Sequence, residues 1–189
     1  QWRQKYLLNT ENIYQSILII ATVNVEKYGV MITTGVTSGN AKDVTIAFSR
    51  GAGGAVEGQA AETYLLRQDG SDILLAPARE VQYTILPQTG GTRKGTTYFD
   101  RPLLAESDLA RLRSFSQIAR QKLPKASGMP EDAPLDIELG ILKDKLWLFQ
   151  VRPYVENRRA QSTAYLRSLD PALPLNRNIS FSQKLTFQE

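Results

Sequence analysis

The sequence contains no cysteine and no histidine among its 189 residues. Without cysteine the chain can form neither a disulfide bond nor a thiolate metal site. Without histidine it cannot supply a Ser-His triad or carry a phosphohistidine, and most transition-metal sites lose their commonest ligand. Chemistry in this chain must therefore rely on carboxylates, lysine, arginine, hydroxyl groups and backbone amides.

Long apolar runs are also missing. The longest, Ile17 to Val23, is interrupted by Thr22 and is far too short to span a bilayer, and no secretory signal peptide is visible. We therefore expect a cytoplasmic protein. With 42% hydrophobic residues the chain can form one domain with a packed core, or a large piece of a longer protein. The net charge of +4 is compatible with an anionic ligand, although solvated surface lysines and arginines explain it more simply.

Hydrophobic patterning predicts several strands and one clear helix. The helix is expected over Glu106 to Leu123, with Ser107 as its N-cap and Pro124 as its stop. The expected strands cover residues 16–24, 28–34 and 44–48, and a hairpin of 63–67 with 73–76 around an Asp-Gly turn. This pattern favours an α+β fold on a mostly antiparallel sheet. We expect residues 1–157 to form one lobe and residues 158–189 to form a helical and polar tail.

Two short stretches near the C-terminus give the clearest chemical signal. Asp136 and Glu138 are two residues apart and should project from the same face of a strand, and Gln150 and Arg152 should do the same on the next strand. An antiparallel hairpin would join two carboxylates, a carboxamide and a guanidinium on one surface. That set suits Mg²⁺ with a polyphosphate, because the ion usually takes one or two protein carboxylates plus phosphate oxygens. The arginine fork also matches phosphate geometry.

The common face of this hairpin depends on the length of its turn. Directly paired residues of an antiparallel hairpin share a face, so even-numbered positions must pair with even-numbered ones. This requires an odd-length loop, such as residues 142–144, or a bulge that restores the parity. We expect the odd loop, which would pair Asp136 with Gln150 and Glu138 with Leu148. A two-residue turn alone would send Gln150 to the opposite face.

The order Asp-x-Glu, hairpin, Gln-x-Arg-Pro resembles the closing motif of the nucleotide-binding domain shared by pyruvate phosphate dikinase and phosphoenolpyruvate synthase. The glycine-rich segment Gly51 to Gly58 resembles that family's Gly-x-Gly segment, and Gly29 to Thr33 resembles the short strand before it. Together these motifs span residues 16–155. The resemblance implies an ATP-grasp fold that holds ATP between two lobes, with this chain corresponding to the C-terminal lobe.

The resemblance also implies roles for individual residues. Glu138 and Gln150 would contact Mg²⁺ or phosphate, with Asp136 nearby. Arg152 would contact a phosphate and stabilise charge on the transferring phosphoryl group. The whole protein would then be an ATP-dependent phosphotransferase of the dikinase or synthase type, and its phosphoryl acceptor would remain open.

The first predicted strand would lie near the adenine, which implies base contacts for Leu18 and Ile20. The family's phosphate-binding lysine and arginine belong to a preceding lobe, which has no place in the roughly fifteen residues before Ser16. The phosphohistidine domain also has no counterpart in this sequence. We therefore expect the missing lobe and the phosphohistidine domain to be partners supplied by the parent protein. We expect the chain alone to bind Mg-ATP weakly or not at all, without enzymatic turnover.

Each of these signals has a simpler alternative. The four polar hairpin residues could form a solvated strand face with a cross-strand ion pair, which stabilises by only about 0.2–1 kcal/mol. The glycine-rich segment could be an ordinary turn between strands. The other class of function is a non-catalytic module that kept the fold and binds a nucleotide or only a partner. Nucleic-acid binding is disfavoured, because no aromatic residues are interleaved with the basic ones.

Overall fold

The computed structural model describes residues 17, 19, 21–54, 60–126 and 128–156. The chain divides into two units, residues 1–154 and 155–189, and only Val155 and Glu156 of the second are described. The expected boundary at residue 157 stays a prediction. The described elements are β1 (Lys27–Ile32), β2 (Val44–Arg50), β3 (Glu62–Leu66), β4 (Ile73–Ala76), β5 (Gln82–Ile85), β6 (Arg93–Thr96), α1 (Glu106–Ala126), β7 (Leu135–Leu142) and β8 (Lys145–Pro153).

Six strands form one sheet in the order β4-β3-β2-β1-β7-β8, and every neighbouring pair is antiparallel. Strands β5 and β6 form a separate two-stranded sheet, joined to the end of β2 through a bridge between Gly51 and Thr84. The expected α+β class with a mostly antiparallel sheet is confirmed, as is the hairpin of β3 with β4. Strands β5 and β6 were missed, because each is only four residues long and β6 is polar and contains a glycine.

The helix covers one face of the large sheet, and no described helix covers the other face, which is called the open face below. Met31 of β1 pairs with Ile46 of β2 and with Ile137 of β7. All three are fully buried in one cluster with Leu112 and Ala119 of α1. Complete burial of a large aliphatic side chain stabilises by about 1.5–3 kcal/mol relative to exposure. Because side chains alternate along a strand, packing these residues on the helix commits the residues between them to the open face.

The ends of α1 differ from the sequence prediction. Its N-cap is Ala105 rather than Ser107, and Asp108 Oδ2 accepts a hydrogen bond from the Ala105 backbone N–H at 3.0 Å. This is the reciprocal half of a capping box, in which the third helical residue reaches back to the cap. The helix continues through Pro124, which is fully buried in the last turn. Packing of the ring there offsets the single backbone hydrogen bond that proline cannot donate.

The predicted buried strand at residues 16–24 is wrong where it can be tested. Residues 21–24 are not in a strand, and Ile17 and Ile19 are 81% and 90% exposed. Both sides of β1 are occupied, by β2 and β7, so β1 does not pair with residues 21–24. Leu18 and Ile20, the residues expected near adenine, lie outside the described residues. Within the described part of the chain, no helix is long and apolar enough to cross a membrane.

Candidate functional site

The turn that joins β7 to β8 has two residues rather than the expected three. Lys143 and Asp144 have φ values of 47° and 62°, and Leu142 pairs directly with Lys145. Two successive left-handed residues are typical of the tight hairpin turn whose twist matches that of the flanking strands. The odd-length loop predicted from the sequence is therefore wrong.

A β-bulge restores the parity that this turn would otherwise break. Leu139 pairs with Leu148 while Glu138 pairs with Gln150, so Phe149 is the extra residue of β8. Such a bulge flips the register of all residues beyond it by one position. The bulge was the alternative to the odd loop, and it is the solution that this hairpin adopts.

The four polar residues consequently lie on one face, although in different pairs from those expected. Glu138 is opposite Gln150 and Asp136 is opposite Arg152. The expected pairs, Asp136 with Gln150 and Glu138 with Leu148, are wrong because the parity is restored next to Glu138 rather than at the turn. These four side chains are called the polar hairpin face below.

An ion pair joins two members of the polar hairpin face. Arg152 Nε and Nη2 both lie 2.8 Å from Asp136 Oδ2. The hydrogen bond and charge of Asp136 raise the pKa of Arg152, which therefore stays a cation. Asp136 Oδ1 is buried and accepts no hydrogen bond from the described residues. Asp136 thus has one oxygen that orients Arg152 and one that is left for another ligand.

The Glu138 carboxylate is held from the neighbouring strand β1. The hydroxyl of Tyr28 donates a hydrogen bond to Glu138 Oε2 at 2.6 Å. The Tyr28 ring stacks on the bulge residue Phe149, with centroids 5.5 Å apart and planes inclined by 18°. A Cβ on Gly140 would lie 2.5 Å from Val25 Cγ1 and 3.0 Å from Phe149 Cε2, so only glycine leaves room for this arrangement.

Tyr28 and Phe149 are functional candidates that sequence reasoning missed. Tyr28 is three residues from the buried Met31 on the same strand, so alternation along β1 places it on the opposite face of the sheet. The sequence therefore indicated the face of Tyr28. Its proximity to Glu138 depends on the pairing of β1 with β7, 110 residues apart, and that register cannot be deduced from local pattern.

The donor set on the polar hairpin face fits a hard divalent cation. Asp136 Oδ1, the carboxylate of Glu138 and the side-chain carbonyl of Gln150 are all oxygen ligands. The described residues contain no cluster of three carboxylates, which a dedicated protein cage for a metal would need. Mg²⁺ usually keeps several waters and takes only one or two carboxylates together with phosphate oxygens, so the residues present fit this ion.

A cavity of about 730 Å³ lies farther along the same hairpin. Trp147 lines it and pairs with Gly140, which belongs to the same face as Glu138. The remaining wall is formed by two segments and a leucine, namely residues 21–24, the β5–β6 loop at 86–91 and Leu142. Gly140 lies four positions after Asp136 on β7, which corresponds to about 14 Å along an antiparallel strand.

A second cavity, of about 660 Å³, lies beside the N-terminus of α1 and is lined by Lys27 and Arg50. Both cations are already paired with buried carboxylates, Lys27 with Asp108 at 2.5 Å and Arg50 with Glu80 at 3.0 Å. Arg101, a third cation of this lining, has no ion-pair partner among the described residues, so the cavity stays a second candidate for an anionic ligand.

The glycine-rich segment is described only as far as Gly54. Gly51 has a φ of 70°, and the next residue, Ala52, donates its backbone N–H to Thr84 O at 3.0 Å. The beginning of the segment thus connects the end of β2 to β5. Residues 55–59 lie outside the described residues, and a phosphate-binding role for the segment stays a prediction.

The chain matches a protein-family model over most of its length. The model described as pyruvate phosphate dikinase, AMP/ATP-binding domain, matches residues 1–170, which include every member of the polar hairpin face. A comparison with curated proteins found no match.

Proposed function

The chain belongs to the family of the AMP/ATP-binding domain of pyruvate phosphate dikinase, and we propose that its polar hairpin face binds the phosphates of ATP together with Mg²⁺. The observation that carries this proposal is the bulge, which brings Glu138 opposite Gln150 and Asp136 opposite Arg152 on the open side of the sheet. The complete protein would then be an ATP-dependent phosphotransferase of the dikinase or synthase type.

Glu138 and Gln150 are the proposed Mg²⁺ ligands, with Asp136 in support through its unpartnered Oδ1. When bound, the ion would neutralise phosphate charge and fix the phosphate oxygens. Glu138 is the better carboxylate for this role, because its partner is the neutral Tyr28 hydroxyl, whereas Asp136 already faces the positive charge of Arg152.

Arg152 is the proposed phosphate contact and the catalytic residue of this lobe. Its guanidinium is fixed by Asp136 through Nε and Nη2, while its side chain remains 55% exposed on the open face. A preorganised cation that needs no reorientation stabilises charge as it develops on a transferring phosphoryl group. In such reactions the protein acts mainly by positioning groups and by electrostatic stabilisation.

The cavity beside Trp147 is the proposed site for the nucleoside. Its volume of about 730 Å³ is in the usual range for small-molecule sites. Ala21 and Thr22 line it. They follow Leu18 and Ile20, whose proposed contacts with adenine lie outside the described residues. Its separation of about 14 Å from Asp136 along β7 suits a ligand with an apolar base at one end and a polyphosphate at the other.

Tryptophan fluorescence gives a direct test. The sequence has two tryptophans, so Trp2→Phe leaves Trp147 as the reporter. We expect ATP to change the Trp147 emission saturably at millimolar concentrations, with tighter binding when Mg²⁺ is present. Glu138→Ala should weaken the Mg²⁺-dependent binding by about tenfold or more, the equivalent of about 1.4 kcal/mol.

Glu131→Ala is the matched control, because Glu131 is 80% exposed and pairs only with the similarly exposed Lys125. It should bind Mg-ATP as the unmodified chain does. Because the four polar residues come together within this chain, we now expect weak binding rather than none. No saturable change with ATP, or equal affinities for the Glu138→Ala and Glu131→Ala variants, would therefore contradict the proposal. Binding by the complete parent protein without turnover would instead favour a non-catalytic nucleotide-binding module.

A further inference from the structure

Tyr28 lies beside the polar hairpin face without belonging to β7 or β8. It pairs with Gly140 of β7, so its ring must lean along the sheet to reach Glu138, which is two residues away from Gly140 on the same strand. Its hydroxyl nevertheless lies 2.6 Å from Glu138 Oε2. The missing side chain of Gly140 leaves room for the Phe149 ring, on which the Tyr28 ring stacks.

Phe149 supports the Tyr28 ring from the edge strand. The two rings stack nearly parallel, at 5.5 Å between centroids. Phe149 is also the extra residue that gives β8 its bulge and brings Gln150 opposite Glu138. The feature that assembles the polar hairpin face therefore also supplies the ring that holds Tyr28 in place.

From this geometry we propose that Tyr28 is a positioning residue, which orients the Glu138 carboxylate for Mg²⁺ binding; the inference rests on the proposed function. The hydrogen bond engages Oε2, so Oε1 would be the oxygen that takes the cation. A tyrosine hydroxyl does this without introducing positive charge, so the negative charge of Glu138 is kept for the metal. Mg²⁺ demands near-ideal octahedral geometry, so a carboxylate fixed in advance binds it better than a mobile one.

The test compares Tyr28→Phe with Tyr83→Phe in the full chain. The first substitution removes the hydroxyl that contacts Glu138 and keeps the stacked ring. The second removes the hydroxyl of Tyr83 on β5. The Tyr83 ring packs on Gly95 of β6, not on the polar hairpin face. The measurement is ATP binding by Trp147 fluorescence as a function of Mg²⁺ concentration, together with ATP binding in EDTA and the melting temperature.

We expect Tyr28→Phe to raise the Mg²⁺ concentration needed for half-maximal tightening by 10- to 100-fold, the usual effect of losing an outer-shell partner of a metal ligand. ATP affinity in EDTA and the melting temperature should be unchanged, and Tyr83→Phe should change neither Mg²⁺ dependence nor affinity. In a Glu138→Ala background, Tyr28→Phe should have no further effect, because the group that it positions is gone.

The inference and the proposed function fail in different ways. If Glu138→Ala raises the Mg²⁺ requirement but Tyr28→Phe does not, the positioning role is wrong and the metal site stands. If Tyr28→Phe weakens ATP binding equally with Mg²⁺ and in EDTA, the residue is structural and the inference is overturned. If Glu138→Ala leaves the Mg²⁺ requirement unchanged, the proposed function itself is wrong.

Discussion

Replacement of Glu62 tests the packing that holds the helix against the sheet. Glu62 lies on β3 and is only 2% exposed, yet it has no cationic partner among the described residues. Its two carboxylate oxygens accept the backbone N–H groups of Leu103 and Leu104 at 2.8 and 2.7 Å. These bonds fix the segment that leads into α1, so the burial of Leu103 and Leu104 in the core depends on them.

The expected loss in the free energy of unfolding follows from the number of buried backbone donors that the substitution leaves without a partner. Each unsatisfied buried group costs about 1–3 kcal/mol, so Glu62→Ala, which strands two donors, should lower the free energy of unfolding by about 2–6 kcal/mol. Glu62→Gln keeps one acceptor oxygen and turns an NH₂ group towards the other donor, so it should cost about 1–3 kcal/mol. Total stability of a domain is typically only about 5–15 kcal/mol, so both losses are measurable.

Urea unfolding of the full chain is the assay. With an m value of about 2 kcal/mol/M, a loss of 2 kcal/mol moves the midpoint by roughly 1 M. Glu131→Gln is the control, because the exposed pair of Glu131 with Lys125 should be worth about 0–1 kcal/mol. If Glu62→Gln unfolds at the same midpoint as the Glu131→Gln variant, the described attachment of the segment before α1 is wrong.

In the complete parent protein, Glu138→Ala and Arg152→Ala should each lower nucleotide-dependent turnover by about 100-fold or more with little change in stability, and near-normal turnover would refute their roles. Gly29→Ala should destabilise by about 1–3 kcal/mol or more in urea unfolding, because its Cβ would lie 2.5 Å from Ala47 O, and an unchanged midpoint would contradict this packing. Hydrogen bonds from Ser71 lower the pKa of Asp69, so ionised Asp69 stabilises the folded state. This contribution is present above the usual carboxyl pKa and is lost as the pH falls through the lowered pKa. An NMR titration should show that Ser71→Ala raises the pKa of Asp69, and an unmoved titration would count against that cause.

The sequence predicted which residues of the β7–β8 hairpin share its polar face, whereas it did not predict which residues pair across the two strands. Leu146 and Val151 both pack against the core although they are five residues apart, an odd spacing that a regular strand does not allow. This phase shift is present in the sequence, but the apolar side chains of Trp147 and Phe149 lie between them and hide it. Alternation therefore indicated a hairpin without revealing where the extra residue sits.

Buried charges and strand partners were the other points at which local pattern was insufficient. Glu62 and Asp108 look like ordinary surface carboxylates in the sequence, and only the fold shows that each satisfies backbone donors. The β-branched run at residues 17–23 has strong strand propensity, yet no strand of the described sheet pairs with its described residues. Both outcomes were decided by contacts between residues distant in the chain.

The most direct test of the nucleotide site is a paramagnetic NMR measurement with Mn²⁺-ATP in place of Mg²⁺-ATP. Broadening caused by Mn²⁺ depends steeply on distance, so it locates the metal even when binding is weak. We expect selective broadening of the backbone amides at 136–138 and 150–152, and we expect Glu138→Ala to abolish it. Broadening centred on the cavity at Lys27 and Arg50, or spread over exposed carboxylates such as Glu131, would contradict a metal–phosphate site on the polar hairpin face.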